Sequence, residues 1–141
     1  MNEVPGKKDR WWIVIPAALV VIVVNVIVHI LYMVVYSYFI DPGKGEAFYQ
    51  EHAQASAPYS SIIAGIPLMF LAGYLVGGRF SKRNSVKAAV LVWLVYFLID
   101  LAVIIGVGAL TQIAVLFVIS SAIKLAAAYL GGLYAQKRLA Y

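Results

Sequence analysis

Two ionisable residues of opposite charge, Asp100 and Lys124, lie inside long apolar stretches of this sequence. An ionisable side chain at membrane depth costs about 2.5 to 3.5 kcal/mol on insertion scales, so it usually has a partner or a functional role. If each stretch is a helix that rises about 1.5 Å per residue, Asp100 lies about 21 Å and Lys124 about 16 Å along the helix axis from the basic end of its stretch. Side chains lean toward the N-terminus of their own helix, so these two converge if the helices are antiparallel. The pattern predicts that Asp100 and Lys124 pair.

Three further polar residues belong at similar depth. Asn25 and His29 are four residues apart and share a helical face, and Tyr96 lies one turn before Asp100. We therefore predict an intramembrane polar cluster of Asn25, His29, Tyr96, Asp100 and Lys124.

This cluster has two interpretations. An imidazole changes charge near neutral pH and a carboxylate can bind a cation, which favours a proton or solute site. The alternative is a structural ion pair that fixes helix register, with Asn25 and His29 as hydrogen-bonding partners. A proton relay would have to span both leaflets of the membrane, and one Asp, one Lys and one His are too few for that. This favours the structural interpretation.

Motifs for other chemistry are absent from the sequence. There is no cysteine, no G-x-S-x-G elbow, no H-E-x-x-H pair and no phosphate-binding loop. His52 beside Glu51 is expected to be a solvated surface histidine, because the one other histidine lies in an apolar stretch and three ligands are lacking. We predict no catalytic residues, no cofactor and no metal.

The apolar stretches themselves predict the fold. Residues 11–40 and 52–78 contain no Asp, Glu, Lys or Arg, and 64% of the chain is hydrophobic. About 20 apolar residues suffice for a helix to cross a bilayer. The prediction is a single all-α membrane domain of four transmembrane helices, arranged as two hairpins. The expected spans are residues 12–40, 58–78, 86–107 and 110–134, with an external loop over 41–57 that can form a short interfacial helix.

The basic residues predict the orientation. Nine of the 11 Lys and Arg residues flank the same ends of the spans: Lys7, Lys8, Arg10, Arg79, Lys82, Arg83, Lys87, Lys137 and Arg138. On the opposite side stands Lys44 alone. Cytoplasmic loops carry such an excess, so both termini are expected in the cytoplasm. The expected partners are the lipid bilayer and its anionic headgroups rather than nucleic acid, in the plasma membrane of a bacterium or archaeon.

Small residues predict where the helices approach one another. Gly73 and Gly77 form a GxxxG pair near the cytoplasmic end of the second span, and Pro67 predicts a kink in it. The fourth span carries Ala128, Gly131 and Gly132 at matching depth, so spans 2 and 4 are expected to pack there. A weak echo between residues 72–83 and 127–138 fits either an internal repeat or convergence of two similar helix ends.

Two functions are favoured at this level, and a membrane enzyme comes third because the few polar groups at depth include no nucleophile with an adjacent base. The first is a non-enzymatic interaction, assembly or regulatory subunit, as a homo-oligomer or with a partner membrane protein. The second is an oligomeric transporter or channel for protons or small cations that uses Asp100, Lys124 and His29. Four helices alone scarcely enclose a pathway, so the second requires oligomerisation.

Overall fold

The computed structural model describes residues 9–108 and 110–139, and over these ranges the chain is all helical with no strand. The four long helices are α1 (Val14–Val35), α2 (Glu46–Gly77), α3 (Ser85–Gly106) and α4 (Leu110–Arg138). A 3₁₀ turn, Trp11–Ile13, precedes α1, and a π-helical turn, Tyr36–Ile40, extends it. The predictions of an all-helical chain and of four helices long and apolar enough to cross a membrane are confirmed. Lys7 and Lys8 lie outside the described residues.

Helix α2 differs most from the expected boundaries. It begins at Glu46 rather than near Pro58 and continues for 32 residues through Pro58 and Pro67, so the connection from α1 is short. Pro58 removes only one backbone hydrogen bond, to the carbonyl of Gln54, and the Ala, Glu and Gln residues before it favour helix. At 1.5 Å per residue α2 is about 48 Å long, well beyond the roughly 30 Å of a hydrocarbon core.

The helices alternate in direction and form a bundle with α2 and α3 at its centre. Helices α2 and α3 pack against each other and against both remaining helices, whereas α1 and α4 make little contact with one another. The most extensive interface joins α2 to α4. We call the end of the bundle with the α2–α3 connection the inner end, and the opposite end the outer end.

Glycines allow α2 and α4 to approach to backbone contact. A Cβ atom added at Gly73 would lie 2.6 Å from the carbonyl oxygen of Ala128, and one added at Gly131 would collide with the carbonyl of Phe70. No side chain fits between helices at such a distance, so small residues are required on both sides.

The other two predicted packing glycines contact α3 as well. A Cβ at Gly77 would meet Ser85 Oγ at 2.9 Å, and one at Gly132 would meet Ala89 Cβ at 2.8 Å. Gly131 and Gly132 face different helices because successive residues project about 100° apart around an α-helix. The small-residue surface of α4 therefore serves two interfaces rather than one.

The inner end is tied together by side chains from the N-terminal segment. Asp9 accepts hydrogen bonds from the Ser81 backbone N–H at 2.8 Å, the Ser81 hydroxyl at 3.1 Å and the Asn84 side-chain amide. Trp11 packs edge-on against Phe80, with ring centroids 4.8 Å apart, and Phe80 is fully buried. These contacts fix the start of α1 beside the α2–α3 connection.

Candidate functional site

Four polar side chains meet in the interior of the bundle, one from each helix. Asn25 of α1 donates from Nδ2 to Ser61 Oγ of α2 at 3.3 Å and to Tyr96 Oη of α3 at 3.2 Å. Lys124 of α4 donates from Nζ to the same two oxygens, at 2.7 Å to Ser61 and 2.9 Å to Tyr96. We call these residues the four-helix polar cluster. Its two hydroxyl oxygens each join Asn25 to Lys124.

Three members of the four-helix polar cluster are buried and the fourth, Ser61, is half-buried. Lys124 is 1% exposed, Tyr96 4% and Asn25 8%. A Cβ added at Gly65 would collide with Lys124 Cε, so α2 makes room for the lysine stem only because this position is glycine. The ammonium also lies 4.8 Å from the centroid of the Tyr96 ring, a cation–π contact.

The chemistry that this arrangement supports is the holding of one cationic group away from water. An ammonium has three N–H donors, and two of those of Lys124 are used by the two hydroxyl oxygens. Each of these oxygens accepts two hydrogen bonds, so neither is a free nucleophile. The geometry is that of hydrogen-bonded packing between helices.

Asp100 lies beside this cluster without joining it. Within residues 9–108 and 110–139 it forms no hydrogen bond and no ion pair within 4.0 Å, although its carboxylate is close enough to interact electrostatically with Lys124. The direct pair that helical spacing predicts is therefore not formed. Ser61 and Tyr96 hold the ammonium through two of its three N–H donors. Asp100 lies one turn, about 6 Å, further along α3 than Tyr96, which leaves its carboxylate beyond ion-pair distance.

His29 belongs to a separate group of rings near the outer end. Its ring stacks on Tyr32 with centroids 6.1 Å apart, and in the described part of the chain its buried Nδ1 has no hydrogen-bond partner. Tyr32 Oη lies 2.9 Å from His52 Nε2, and the Tyr36 and His52 rings stack at 3.7 Å between centroids. The histidine expected to be solvated is thus half-buried between the outer turns of α1 and α2.

The same outer turns are joined by Tyr49. Its hydroxyl donates to the Asp41 carbonyl at 2.8 Å and accepts from the Lys44 backbone N–H at 3.1 Å. This phenol therefore closes the short connection between α1 and α2. Since π-helical turns often mark functional positions, the Tyr36–Ile40 turn beside it is a second feature of interest at the outer end.

Of the predicted polar residues, the structure brings Asn25, Tyr96 and Lys124 into one hydrogen-bonded group and leaves Asp100 and His29 outside it. Sequence reasoning missed Ser61 and Gly65. Both lie on one face of α2 at a spacing of four, and a serine followed one turn later by a glycine is the signal that could have indicated space for a long side chain.

Comparison with known protein families, with curated proteins and with solved structures finds no match to this chain. Among the described residues no group of three or more His, Asp or Glu side chains is placed to hold a metal ion.

Proposed function

We propose that this chain is a four-span integral membrane protein that acts as a non-enzymatic interaction, assembly or regulatory subunit. The observation that carries the proposal is the four-helix polar cluster, in which Lys124 is 1% exposed and hydrogen-bonded to α2 and α3. A transport pathway needs water or exchangeable ligands at its polar groups. The polar groups of this cluster are instead hydrogen-bonded to one another inside the bundle. The interior supports a fixed architecture, and function is then expected at the surface.

Membrane insertion is supported by the surface that the bundle leaves apolar. In the most apolar window of each long helix only 22 to 28% of the residues are buried within the chain. Large aliphatic side chains such as Ile63, Val115 and Val118 are 65 to 74% exposed. Exposed apolar surface on this scale requires lipid or a partner protein.

Orientation is proposed from the basic residues at the two ends. The inner end carries Arg10, Arg79, Lys82 and Arg83, which favours a cytoplasmic location for this end, and the outer connection carries Lys44. Because the chain has no native cysteine, Lys44→Cys and Lys82→Cys each introduce one thiol for labelling. In sealed right-side-out vesicles, a membrane-impermeant maleimide should label the first variant only, and both after permeabilisation. Labelling of both thiols before permeabilisation would contradict the topology.

Helix α1 is the surface proposed for the interaction. Glycines 73, 77, 131 and 132 are used inside the bundle, so they do not serve a partner. On α1 a row of aliphatic side chains at helical spacing is about half exposed: Leu19, Val23, Val26 and Ile30. Such a row suits a neighbouring transmembrane helix as well as lipid.

The interaction is tested by cross-linking in native membranes. Val23→Cys should form a cross-linked product after mild oxidation or with a short bifunctional maleimide. Val118→Cys on α4, where the side chain is similarly exposed, is the matched control. Recovery of monomers alone from both variants, in membranes and after mild extraction, would refute the interaction role.

A transporter or channel for protons or small cations is the second candidate, and Asp100 is the observation that favours it. Its half-buried carboxylate has no hydrogen bond among the described residues and interacts electrostatically with Lys124. A carboxylate of this kind is available to bind a proton or a cation. Purified protein in proteoliposomes should then show a flux between about pH 5 and 9 that Asp100→Asn abolishes. Flux that is absent, or unchanged by the substitution, would exclude this candidate.

A further inference from the structure

An open pocket of about 350 Å³ lies between the inner ends of α2 and α4, outside the four-helix polar cluster. Its lining includes two arginines, one tyrosine and three aliphatic side chains: Arg79, Arg138, Tyr74, Leu75, Ala135 and Leu139. Within residues 9–108 and 110–139, no Asp or Glu belongs to this lining. We propose that this pocket binds the phosphate group of an anionic membrane phospholipid, and we call it the inner arginine pocket.

The two arginines come from different helices and converge because the helices end together. Arg138 is the last residue of α4, and Arg79 follows the end of α2. Arg138 Nη1 donates to the Tyr74 hydroxyl, and its guanidinium carbon lies 6.0 Å from the Tyr74 ring centroid. The Tyr74 contact holds one guanidinium across the α2–α4 interface, with several N–H donors left for an anion.

The ligand class follows from the charge and the donor geometry. A guanidinium binds phosphate through parallel N–H donors, and two arginines in the lining of one pocket match a group with several anionic oxygens. The exposed side chains of Arg79 and Arg138 make this concavity cationic. It therefore selects for negative charge, unlike a general apolar crevice.

A lipid fits better than a free anion because apolar surface continues from the pocket toward the middle of the bundle. Leu75 is 60% exposed, and Leu71, one turn deeper on α2, is 52% exposed. On the facing side Tyr134 of α4 packs edge-on against Phe70 at 5.7 Å between ring centroids. A phosphate held by the arginines would place its acyl chains along Leu75 and Leu71. This inference rests on the proposed membrane insertion.

The test separates the inner arginine pocket from general attraction to a basic surface. Purified full-length protein in mild detergent would be titrated with phosphatidylglycerol, with phosphatidylcholine as the zwitterionic reference, and bound lipid counted by native mass spectrometry. Arg79→Gln/Arg138→Gln should weaken phosphatidylglycerol binding by about tenfold or more. Lys82→Gln/Arg83→Gln removes the same charge from the adjacent connection, outside the pocket lining, and should change binding by less than about twofold.

A third variant guards against loss of folding. Tyr74→Phe keeps the ring in place and removes the acceptor that holds Arg138, so binding should weaken severalfold while the helical circular dichroism stays unchanged. Equal losses in the two double variants, or no effect of Tyr74→Phe, would overturn the proposal in favour of unspecific attraction. Displacement of the lipid by millimolar inorganic phosphate would assign the pocket to a free anion instead.

Maleimide labelling of the Lys44→Cys and Lys82→Cys variants distinguishes a failure of the lipid site from a failure of the proposed function, because it reports membrane insertion and topology independently of lipid binding. If the chain inserts with the expected topology but shows no preference for phosphatidylglycerol, only the inner arginine pocket is refuted. If the labels show no insertion, the proposed function fails and the lipid site fails with it.

Discussion

Removing both hydroxyls of the four-helix polar cluster should destabilise the bundle by more than the sum of the two single substitutions. Ser61→Ala and Tyr96→Phe each remove one oxygen and leave the other to hold Lys124 and Asn25. Tyr96→Phe also keeps the ring, and with it most of the packing and the cation–π contact. Only the double variant leaves the buried ammonium without an acceptor.

The size of the effect follows from the number of bonds lost. Interhelical hydrogen bonds in membrane proteins average about 0.6 kcal/mol each, with a maximum near 1.7. Each single substitution breaks two of them, so each should cost about 1 kcal/mol. In the double variant Lys124 becomes an uncompensated charge inside the bundle, which adds an excess of about 2 to 3 kcal/mol over the sum of the singles.

A third substitution, at Lys124, separates the buried charge from the lost hydrogen bonds. Lys124→Met keeps a long unbranched side chain and removes the charge, so adding it to the double variant should restore about 2 kcal/mol or more. Stability would be measured by reversible unfolding in mixed micelles of dodecylmaltoside and sodium dodecylsulfate, followed by helical circular dichroism. The control is Tyr129→Phe, since Tyr129 is 47% exposed and forms no hydrogen bond with the described residues. This variant should change stability by less than about 0.5 kcal/mol. Strict additivity of the singles, or a triple variant less stable than the double, would refute the reasoning.

Three further substitutions test single contacts. Gly65→Ala should destabilise by about 1 to 3 kcal/mol, because the new methyl group displaces the buried stem of Lys124. Gly131→Ala should cost at least as much, since the obstacle is the rigid backbone carbonyl of Phe70, and it should also lower the yield of folded protein in detergent. Asp100→Asn should leave stability equal or higher in the same unfolding assay, because no hydrogen bond is lost and an ionisable group is removed from an apolar region. If Asp100 and Lys124 instead formed a buried ion pair, the same substitution would cost about 3 to 5 kcal/mol.

Gly106 provides the matched control for both glycine substitutions. A Cβ atom at this position would meet nothing within 4 Å, so Gly106→Ala should be neutral or stabilise by up to about 1 kcal/mol. An identical loss at Gly106 and Gly65 would show that the cost is not due to Lys124.

The existence of four long helices could be predicted because hydropathy alone determines it, but the start of α2 could not. Residues 46–57 are polar enough to be read as a loop, and Pro58 suggests a boundary. Helix propensity indicates a short helix there, but whether that helix continues through Pro58 depends on tertiary packing. Contacts with the outer end of α1, such as the stacked rings of Tyr36 and His52, hold these residues in α2.

The depth of the polar residues could be predicted, whereas their partners could not. The rise of about 1.5 Å per residue places Asn25, Tyr96 and Lys124 within reach of one another. It does not give the rotation of each helix about its axis, which decides whether Lys124 meets Asp100 or Ser61. That rotation is set by glycines such as Gly73 and Gly131, whose backbone contacts with α4 and α2 are known only from the structure.

The position of the four-helix polar cluster explains why a chain rich in Val, Ile, Leu and Ala would keep a costly lysine. Aliphatic side chains pack almost equally well after a helix slides or rotates by one ridge, so lipid-facing helices have little to distinguish one register from another. Hydrogen bonds lose their geometry after such a slip, and this cluster joins all four helices at one point. Helix α1 depends on it most, because it makes little contact with α4 and is joined to the interior of the bundle by Asn25. We infer that the cluster selects one register among several of similar packing energy, as single buried polar residues do in coiled coils.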